Sequence, residues 1–450
     1  MKINYSSLRK GLSATALSCL TFAAFSQGAP VVTPATTPAK PAATVPAAAA
    51  TVPSIKLSGL VRNDLYFDTR QVVSARDGEL VLWPTDIVKD ASGNDLNAKS
   101  SFNMNPISSR IAVGVVAPDA FGAKATALIE FEFFGGSDAA NGAGRLRHAF
   151  AKLDWGKTQL LVGQFWHPLF VTDCFPGTAA YNTAIPVNPF NRSPQIRLTT
   201  NLGNNVNLLL AAVTQREGFA GFGPLGQSAT YAENAGIPAL DAQLFYKTAT
   251  VLAGIAVDYK ALRPYQFRAV GTPAVNTEIT STVAATTLSA YFKYTNKDVI
   301  VKAQYTKGQN MADQTSVGGY LVYGTGAALT YKPTNTSGFW VELLGTGKKI
   351  VPGIVFAYLK NDGANDLGSV QSYGRAIGGT LNAAGNLGRG IDNLYQIMPR
   401  LEFKSGSWKF MPEICYEVAG WAAIGTDGKA TGTIDKVSNT RLQFVTMLTF

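Results

Sequence analysis

The sequence predicts an all-β fold, a 16-stranded antiparallel transmembrane β-barrel with short turns on one side and long loops on the other. Three observations predict it. Segments of about ten residues alternate apolar and polar side chains from Ile55 to Phe450. Tight turns and long Gly- and Asn-rich stretches follow one another in regular succession. Beyond residues 1–26, no stretch approaches the ~18 consecutive apolar residues of a membrane-spanning helix.

The first residues have the features of a cleaved signal peptide. A basic segment, residues 2–10, precedes an apolar run, residues 14–25. The small-x-small triplet 24–26 predicts cleavage after Ser26. The apolar run is too short for a membrane anchor, which needs about 20 residues. A lipidated Cys19 is the alternative, but the three residues before it form a poor lipoprotein signal.

Three regions are therefore predicted: a signal peptide (1–26), a periplasmic linker (27–54) and the barrel (55–450). The linker is rich in Ala, Pro and Thr and carries one charge, Lys40. Such a segment is extended and has nothing to bury. We interpret it as a plain spacer.

Charge and rare residues narrow the function classes. Cleavage removes three basic residues, so Lys+Arg falls from 39 to 36 against 29 Asp+Glu, and the net charge becomes +7. This balance suits small anions better than nucleic acid, which an exported protein seldom meets. Cys174 and Cys415 could form one bridge, but two distant thiols are not a disulfide framework. Two histidines leave little for a metal site, and we predict no metal and no cofactor.

The strand count follows from the turns. Short turns are predicted at 118–121, 154–157, 201–205, 247–250, 295–298, 332–337 and 405–406. Long loops are predicted at 69–108, 135–144, 167–193, 215–238, 261–285, 308–321, 346–391 and 420–435. Seven turns join 14 strands, and Ile55–Asp68 and Lys436–Phe450 bring the number to 16, with both termini periplasmic. Ile354–Lys360 is interpreted as an extension of the preceding strand.

Charged residues opposite the apolar faces should point into the lumen, because an arginine at the lipid midplane costs about 2–4 kcal/mol. The predicted pore-lining residues are Arg110, Arg145, Arg147, Arg197, Lys124, Glu130, Glu132, Arg400 and Arg441. Clustered arginines in a narrow passage attract anions and can hold carboxylates bidentately. The alternative is that these charges pair with one another as a structural network.

The loop 167–193 and the last strand carry further signals. An extracellular loop with Phe170, Phe175 and Phe190 would not lie free in water. We expect it to fold into the barrel as a constriction bearing Asp173 and Arg192, the alternative being a packed Ω-loop at the rim. In the last strand, one apolar face ending in Phe444, Leu448 and Phe450 is typical of the signal read by the barrel-assembly machinery.

Motifs for catalysis are weak. Gly221–Gly226 matches G-x-G-x-x-G, and Asp241 lies 20 residues after Gly221, but no helical periodicity follows. We interpret this stretch as a loop. No G-x-S-x-G is present, and a barrel hydrolase would need His148 or His167, so we do not expect an enzyme.

The runs 109–118, 145–154 and 161–166 resemble the DcaP-like porins, most strongly over residues 105–170. The resemblance implies a 16-stranded homotrimeric outer-membrane channel for small dicarboxylates. It also implies that Arg110, Arg145 and Arg147 sit in the pore. The chain departs from the family at its N-terminus, where the Ala/Pro/Thr linker replaces a helical, coiled-coil-like segment.

The leading hypothesis is passive diffusion of small polar solutes, favouring small anions, through a pore in the bacterial outer membrane. Its expected partners are outer-membrane lipid, the barrel-assembly machinery, two further copies of the chain and small anionic solutes, but no nucleic acid. The alternatives are a non-conducting structural or adhesion barrel and a barrel hydrolase.

Overall fold

A computed structural model describes residues 52–135, 138–216, 218–365 and 368–450. The predicted signal peptide, its cleavage site, Cys19 and the linker before residue 52 lie outside the described residues.

Sixteen antiparallel strands form a closed barrel, as the sequence predicts. The strands are β1 (Ser54–Asp68), β2 (Ser101–Asn105 and Arg110–Ala120), β3 (Ala123–Glu132), β4 (Arg145–Asp154), β5 (Thr158–Trp166), β6 (Arg192–Gly203), β7 (Val206–Val213), β8 (Ala239–Lys247), β9 (Val251–Leu262), β10 (Val283–Thr295), β11 (Val299–Gln309), β12 (Asn335–Gly345), β13 (Ile350–Gly363), β14 (Arg389–Ser405), β15 (Trp408–Ile424) and β16 (Ala430–Thr449). Pairing of β1 with both β2 and β16 closes the ring. Closure matters because an unpaired strand edge cannot be satisfied in lipid.

Side chains alternate between the two faces of the wall. In β10 buried and exposed residues alternate without interruption through its first ten positions. In β1 the inward positions hold Arg62, Asp64, Tyr66 and Asp68. The outward positions of the barrel carry exposed apolar and aromatic residues, among them Tyr294, Tyr305, Phe339, Phe403 and Tyr416. An apolar outside and a polar inside is the arrangement of a barrel that lies in a membrane.

One predicted turn is wrong. The chain turns at 346–349, between β12 and β13, and not at 332–337. Ile354–Lys360, which we interpreted as an extension, is the middle of the spanning strand β13. The alternating segment Thr330–Pro333 pairs instead with Gly318–Tyr323 in a small sheet formed by the loops. Alternation alone does not distinguish a wall strand from a loop strand, because both have one covered face. The total of 16 strands is unaffected.

The last predicted loop is also wrong. Residues 420–435 are mostly strand, because β15 reaches Ile424 and β16 begins at Ala430. These two strands have 17 and 20 residues, whereas about 9–11 are enough to cross a bilayer. The wall therefore continues beyond the membrane on the side of the long loops.

The loop between β5 and β6 folds into the barrel, but Arg192, which we expected to lie in it, is the first residue of β6. We name residues 167–191 the constriction loop. Phe170 stacks on Trp166 with 3.9 Å between ring centroids, and Phe190 packs edge-on against the same ring. Phe170 and Phe190 are 2% and 1% exposed, so the loop is not a rim feature.

A second loop also enters the lumen, which the sequence did not indicate. Residues 310–317 include a short 3-10 turn, Met311–Gln314, whose side chains are all buried. The backbone of Phe190 donates to the Gln314 carbonyl at 2.9 Å, so this segment packs directly on the constriction loop. Among the described residues, no helix has the length and apolar character needed to cross a membrane.

The C-terminal residue takes part in closure. Phe450 exchanges two backbone hydrogen bonds with Gly59 of β1, at 2.9 and 3.1 Å. Its ring lies where a side chain at position 59 would stand, 2.7 Å from an ideal Cβ. Phe444 and Phe450 are exposed on the outward face, in phase with Leu448.

Deleting Phe450 should therefore lower the amount of folded protein in the outer membrane several-fold without changing export across the inner membrane, because strand closure is lost at its end. Heat-modifiable mobility of the membrane fraction measures this. Phe121→Ala, which removes an exposed phenylalanine from a periplasmic turn, is the matched control. Normal insertion of the truncated chain would contradict the predicted assembly signal.

Candidate functional site

The constriction loop is held in place by two carboxylates of the barrel wall. Glu413 of β15 accepts hydrogen bonds from the backbone N–H groups of Ala179, at 2.7 Å, and Ala180, at 3.0 Å. Glu342 of β12 accepts from the N–H of Gly177 at 3.2 Å. Backbone donors buried away from water need such acceptors, and charged acceptors make the stronger bonds. The middle of the loop is thereby fixed to the wall opposite its own strands.

Basic residues pair with one of these anchors and contact the loop beside the other. Arg400 lies 2.6 Å and Lys302 lies 2.8 Å from Glu342. Arg62 of β1 donates to the carbonyl of Ala179 at 2.6 Å and pairs with Asp64 at the same distance. The side chain of Arg400 is only 1% exposed, because the loop covers it. The structure thus places Arg400, which we predicted to line the pore, beneath the constriction loop.

A second set of charges surrounds Glu132, whose side chain is fully buried at the end of β3. Arg145 pairs with one of its oxygens, and Arg147 and Arg192 approach at 3.1 and 3.2 Å. Arg110 lies further off at 3.9 Å. Arg145 and Arg192 begin β4 and β6, Arg147 is the third residue of β4, and Arg110 begins the second segment of β2. Three strands thus bring four guanidinium groups around one carboxylate.

Two further contacts orient the guanidinium groups. Arg147 also pairs with Glu130, whose side chain is 14% exposed. Arg147 and Arg192 lie over the ring of Trp166, 5.3 and 5.0 Å from its centroid. An aromatic face attracts a guanidinium group and limits its motion.

Tyr181 joins the constriction loop to these charges. Its hydroxyl donates to Glu132 at 2.8 Å and accepts from Arg192 at 3.3 Å. Arg110 lies 5.4 Å from the centre of its ring. We did not single out Tyr181 in the sequence, because one tyrosine in an irregular loop has no periodicity that indicates its direction.

Two loop arginines complete the group and were also missed. Arg76 donates to the carbonyl of Gly135 at 3.0 Å, just after β3. Arg216 donates to the carbonyl of Arg192 at 2.9 Å. Burial, together with the positive charges of Arg145 and Arg192, lowers the pKa of Arg76 to about 10 and that of Arg216 to about 9. Both therefore remain protonated at neutral pH.

We define the arginine cluster as six arginines and two glutamates: Arg76, Arg110, Arg145, Arg147, Arg192, Arg216, Glu130 and Glu132. Six positive and two negative charges leave an excess of four. Arg110 Nε, Arg145 Nε and Arg192 Nε make no hydrogen bond to any described residue. The cluster thus has both positive charge and donor groups that its own carboxylates do not satisfy.

The other predicted residues lie outside this cluster. Arg197 donates to the carbonyl of Trp166 at 2.5 Å. Arg441 pairs with Asp68 at 2.6 Å. Lys124 is exposed at the periplasmic end of β3, about 20 Å along the strand from Glu130. Asp173 reaches Lys247 at 2.6 Å, and more than half of its side chain is exposed.

The second inserted segment has its own charged anchor. Lys260 of β9 pairs with Asp313, and both side chains are at most 4% exposed. The amide of Asn191 donates to the Asp313 carbonyl at 2.9 Å. Cys174 and Cys415 are free and buried, so the bridge that the sequence left open is not formed. The described residues contain no group of His, Cys, Asp or Glu arranged to hold a metal ion.

No protein-family model matches the chain, and no curated protein matches it in sequence. The chain is similar to the outer-membrane channel DcaP of Acinetobacter baumannii, with a TM-score of 0.60 and 14% sequence identity. The superposition covers 89% of this chain and 98% of the DcaP chain. The chain has the fold of an outer-membrane porin. An anion-selective porin from Comamonas acidovorans covers 88% of this porin-fold chain and 100% of its own, at a TM-score of 0.50 and 12% identity. At such identities the likeness establishes the fold alone.

Neutralising Glu132 should destabilise the porin-fold chain. Glu132→Gln leaves four guanidinium groups without their shared carboxylate, and breaking a buried ion pair typically costs about 3–5 kcal/mol. The free energy of unfolding in urea measures the loss. Glu278→Gln, which removes an exposed partner of Arg263, is the control and should change little. A loss under about 1 kcal/mol for Glu132→Gln would show that the arginines do not depend on this carboxylate.

Proposed function

We propose that the protein is a porin for the passive diffusion of small polar solutes and that it favours small anions such as dicarboxylates. The observation that carries this proposal is the excess of four positive charges in the arginine cluster, beside the constriction loop. A structural ion-pair network would balance its charges more closely. Low-dielectric walls concentrate such a field on a solute in a narrow passage.

The chemistry of the cluster supports carboxylates as the favoured anions. Guanidinium groups stay charged, and their planar fork fits a carboxylate with two parallel hydrogen bonds. Arg76 and Arg216 come from extracellular loops, whereas Arg145 and Arg192 begin strands that descend from that side. An anion entering from outside would therefore meet the loop arginines first and the wall arginines next.

The outer surface supports a homotrimer. The outward positions of β2, β3 and β4 hold several small residues, including Val113, Ala127, Ala149 and Ala151, beside larger apolar ones such as Ile129. The outward positions of β10 to β15 are instead rich in aromatic residues, which suit lipid contact. We infer that this face of β2 to β4 packs against two further copies of the chain, as the resemblance to DcaP-like porins implies.

A non-conducting barrel is the second candidate, and one observation favours it. Both the constriction loop and residues 310–317 fill the lumen, and no ion-paired arginine of the cluster exposes more than 12% of its side chain. A narrow path is compatible with slow, selective diffusion or with closure.

Planar-bilayer recording distinguishes the two candidates. We expect purified protein to give stable stepwise conductance that is small for a 16-stranded barrel, because two segments occupy the lumen. The control is a mock purification from cells that lack the gene. Absence of steps at every tested potential would favour the non-conducting barrel.

Selectivity tests the proposed site itself. Changing Arg110, Arg145 and Arg147 together to Gln lowers the formal charge of the cluster from +4 to +1. The reversal potential in a salt gradient should then move toward cation preference, most at low ionic strength, where screening is weakest. Lys157→Gln, in an exposed periplasmic turn, is the matched control. An unchanged reversal potential in a folded triple variant would show that these arginines only support the wall.

A further inference from the structure

The outward face of β11 to β16 carries an apolar furrow of about 700 Å³. Its lining includes Leu343, Ile354, Leu401, Ile414 and Leu442, all of them at least 40% exposed. The furrow lies on the lipid side of the wall and is separate from the lumen and from the outward face of β2 to β4.

The furrow has an origin in the sequence. Four consecutive strands each carry a glycine or a proline at an outward position, next to outward Leu, Ile or Phe side chains of the adjoining strands. These residues are Gly345, Pro352, Pro399 and Pro412. Proline cannot donate to the ladder and is disfavoured inside a sheet. The pairing of β14 with β15 is correspondingly sparse in the central part of their contact. Short and cyclic side chains therefore lower the surface along this line.

Aromatic residues define the depth of the furrow in the membrane. Trp408 is 47% exposed at the start of β15 and stacks on Phe410, 6.1 Å between centroids. Exposed aromatic rings at a strand end mark the membrane–water interface. Pro412 lies four residues further along β15, about 13 Å of strand. The furrow thus lies within the periplasmic leaflet of the membrane.

Three exposed lysines lie at the periplasmic rim below the furrow. Lys297 is in the turn between β10 and β11, and Lys348 and Lys349 are in the turn between β12 and β13. The turns are adjacent, because Thr346 bonds to the backbone carbonyls of both Lys297 and Asp298. Asp298 is the one acidic residue of these two turns, so their net charge is +2.

We propose that the furrow and these lysines together form a binding site for an anionic phospholipid of the periplasmic leaflet. One acyl chain would lie in the furrow, and the phosphate would lie against Lys297, Lys348 and Lys349. The furrow alone gives no preference over bulk lipid, since acyl chains surround the whole barrel. Selection for negative charge comes from the basic turns, as in other clusters of lysines at a membrane surface. The site is independent of the proposed anion pathway.

Native mass spectrometry of the full chain in detergent tests the site, with added palmitoyl-oleoyl phosphatidylglycerol and, separately, the corresponding phosphatidylcholine. We expect phosphatidylglycerol adducts to survive at collision energies that remove phosphatidylcholine. Lys297→Gln/Lys348→Gln/Lys349→Gln should lower phosphatidylglycerol binding at least about tenfold. Lys157→Gln, in a periplasmic turn away from the furrow, is the matched control. Leu401→Trp, which fills the furrow but keeps the lysines, should lower binding several-fold.

Equal retention of both lipids, or unchanged phosphatidylglycerol binding in the folded triple variant, would overturn the proposal. Unchanged binding in Leu401→Trp would overturn the role of the furrow. The same spectra report oligomeric state, so loss of the oligomer in Leu401→Trp with lipid retained would assign the furrow to a contact between copies. Heat-modifiable mobility confirms that each variant is folded.

Discussion

The interior of this barrel depends on buried carboxylates that hold the constriction loop, two of which also pair with basic side chains of the wall. Glu413 and Glu342 take the backbone N–H groups of the constriction loop, and Glu132 takes the hydroxyl of Tyr181 from the same loop. A loop that leaves the solvent must find acceptors for its peptide groups, and a carboxylate that leaves the solvent must find cations. Glu342 meets both needs at once, because it accepts from the peptide of Gly177 and pairs with Arg400 and Lys302. Glu132 meets the second need, and its bond to Tyr181 joins the loop to the charged wall.

This arrangement also explains why charged residues of the lumen serve different purposes. Glu342 is paired with two basic residues, Arg400 and Lys302. The constriction loop covers this group, and the peptide N–H of Gly177 also donates to Glu342. Around Glu132, arginines from three strands and two loops exceed the carboxylates by four charges. The first set holds the loop, whereas the second leaves an excess of positive charge beside it. That difference is why the proposed selectivity rests on the arginine cluster alone.

Strand number and the inward phase of the charged residues could be read from the sequence, since period-2 alternation follows from the pleat of any half-buried strand. The turn at 332–337 could not, because Thr330–Pro333 alternates like a wall strand but pairs with a neighbouring loop strand. The local alternation of side chains shows that one face of a strand is covered. It does not show whether the barrel lumen or another loop covers that face. For the same reason, residues 310–317 carried no signal of insertion, although Asp313 pairs with Lys260 in the lumen.

The sequence by itself determined the barrel, its sixteen strands and its apolar outer face. Each of these follows from apolar side chains that recur at every second residue along the strands. Only the tertiary structure decided that Arg400 lies under the loop and that Arg76, Arg216 and Tyr181 join the arginines of the wall. Those contacts join residues that are far apart in the sequence. The direction of a loop side chain depends on its packing, which no local periodicity encodes.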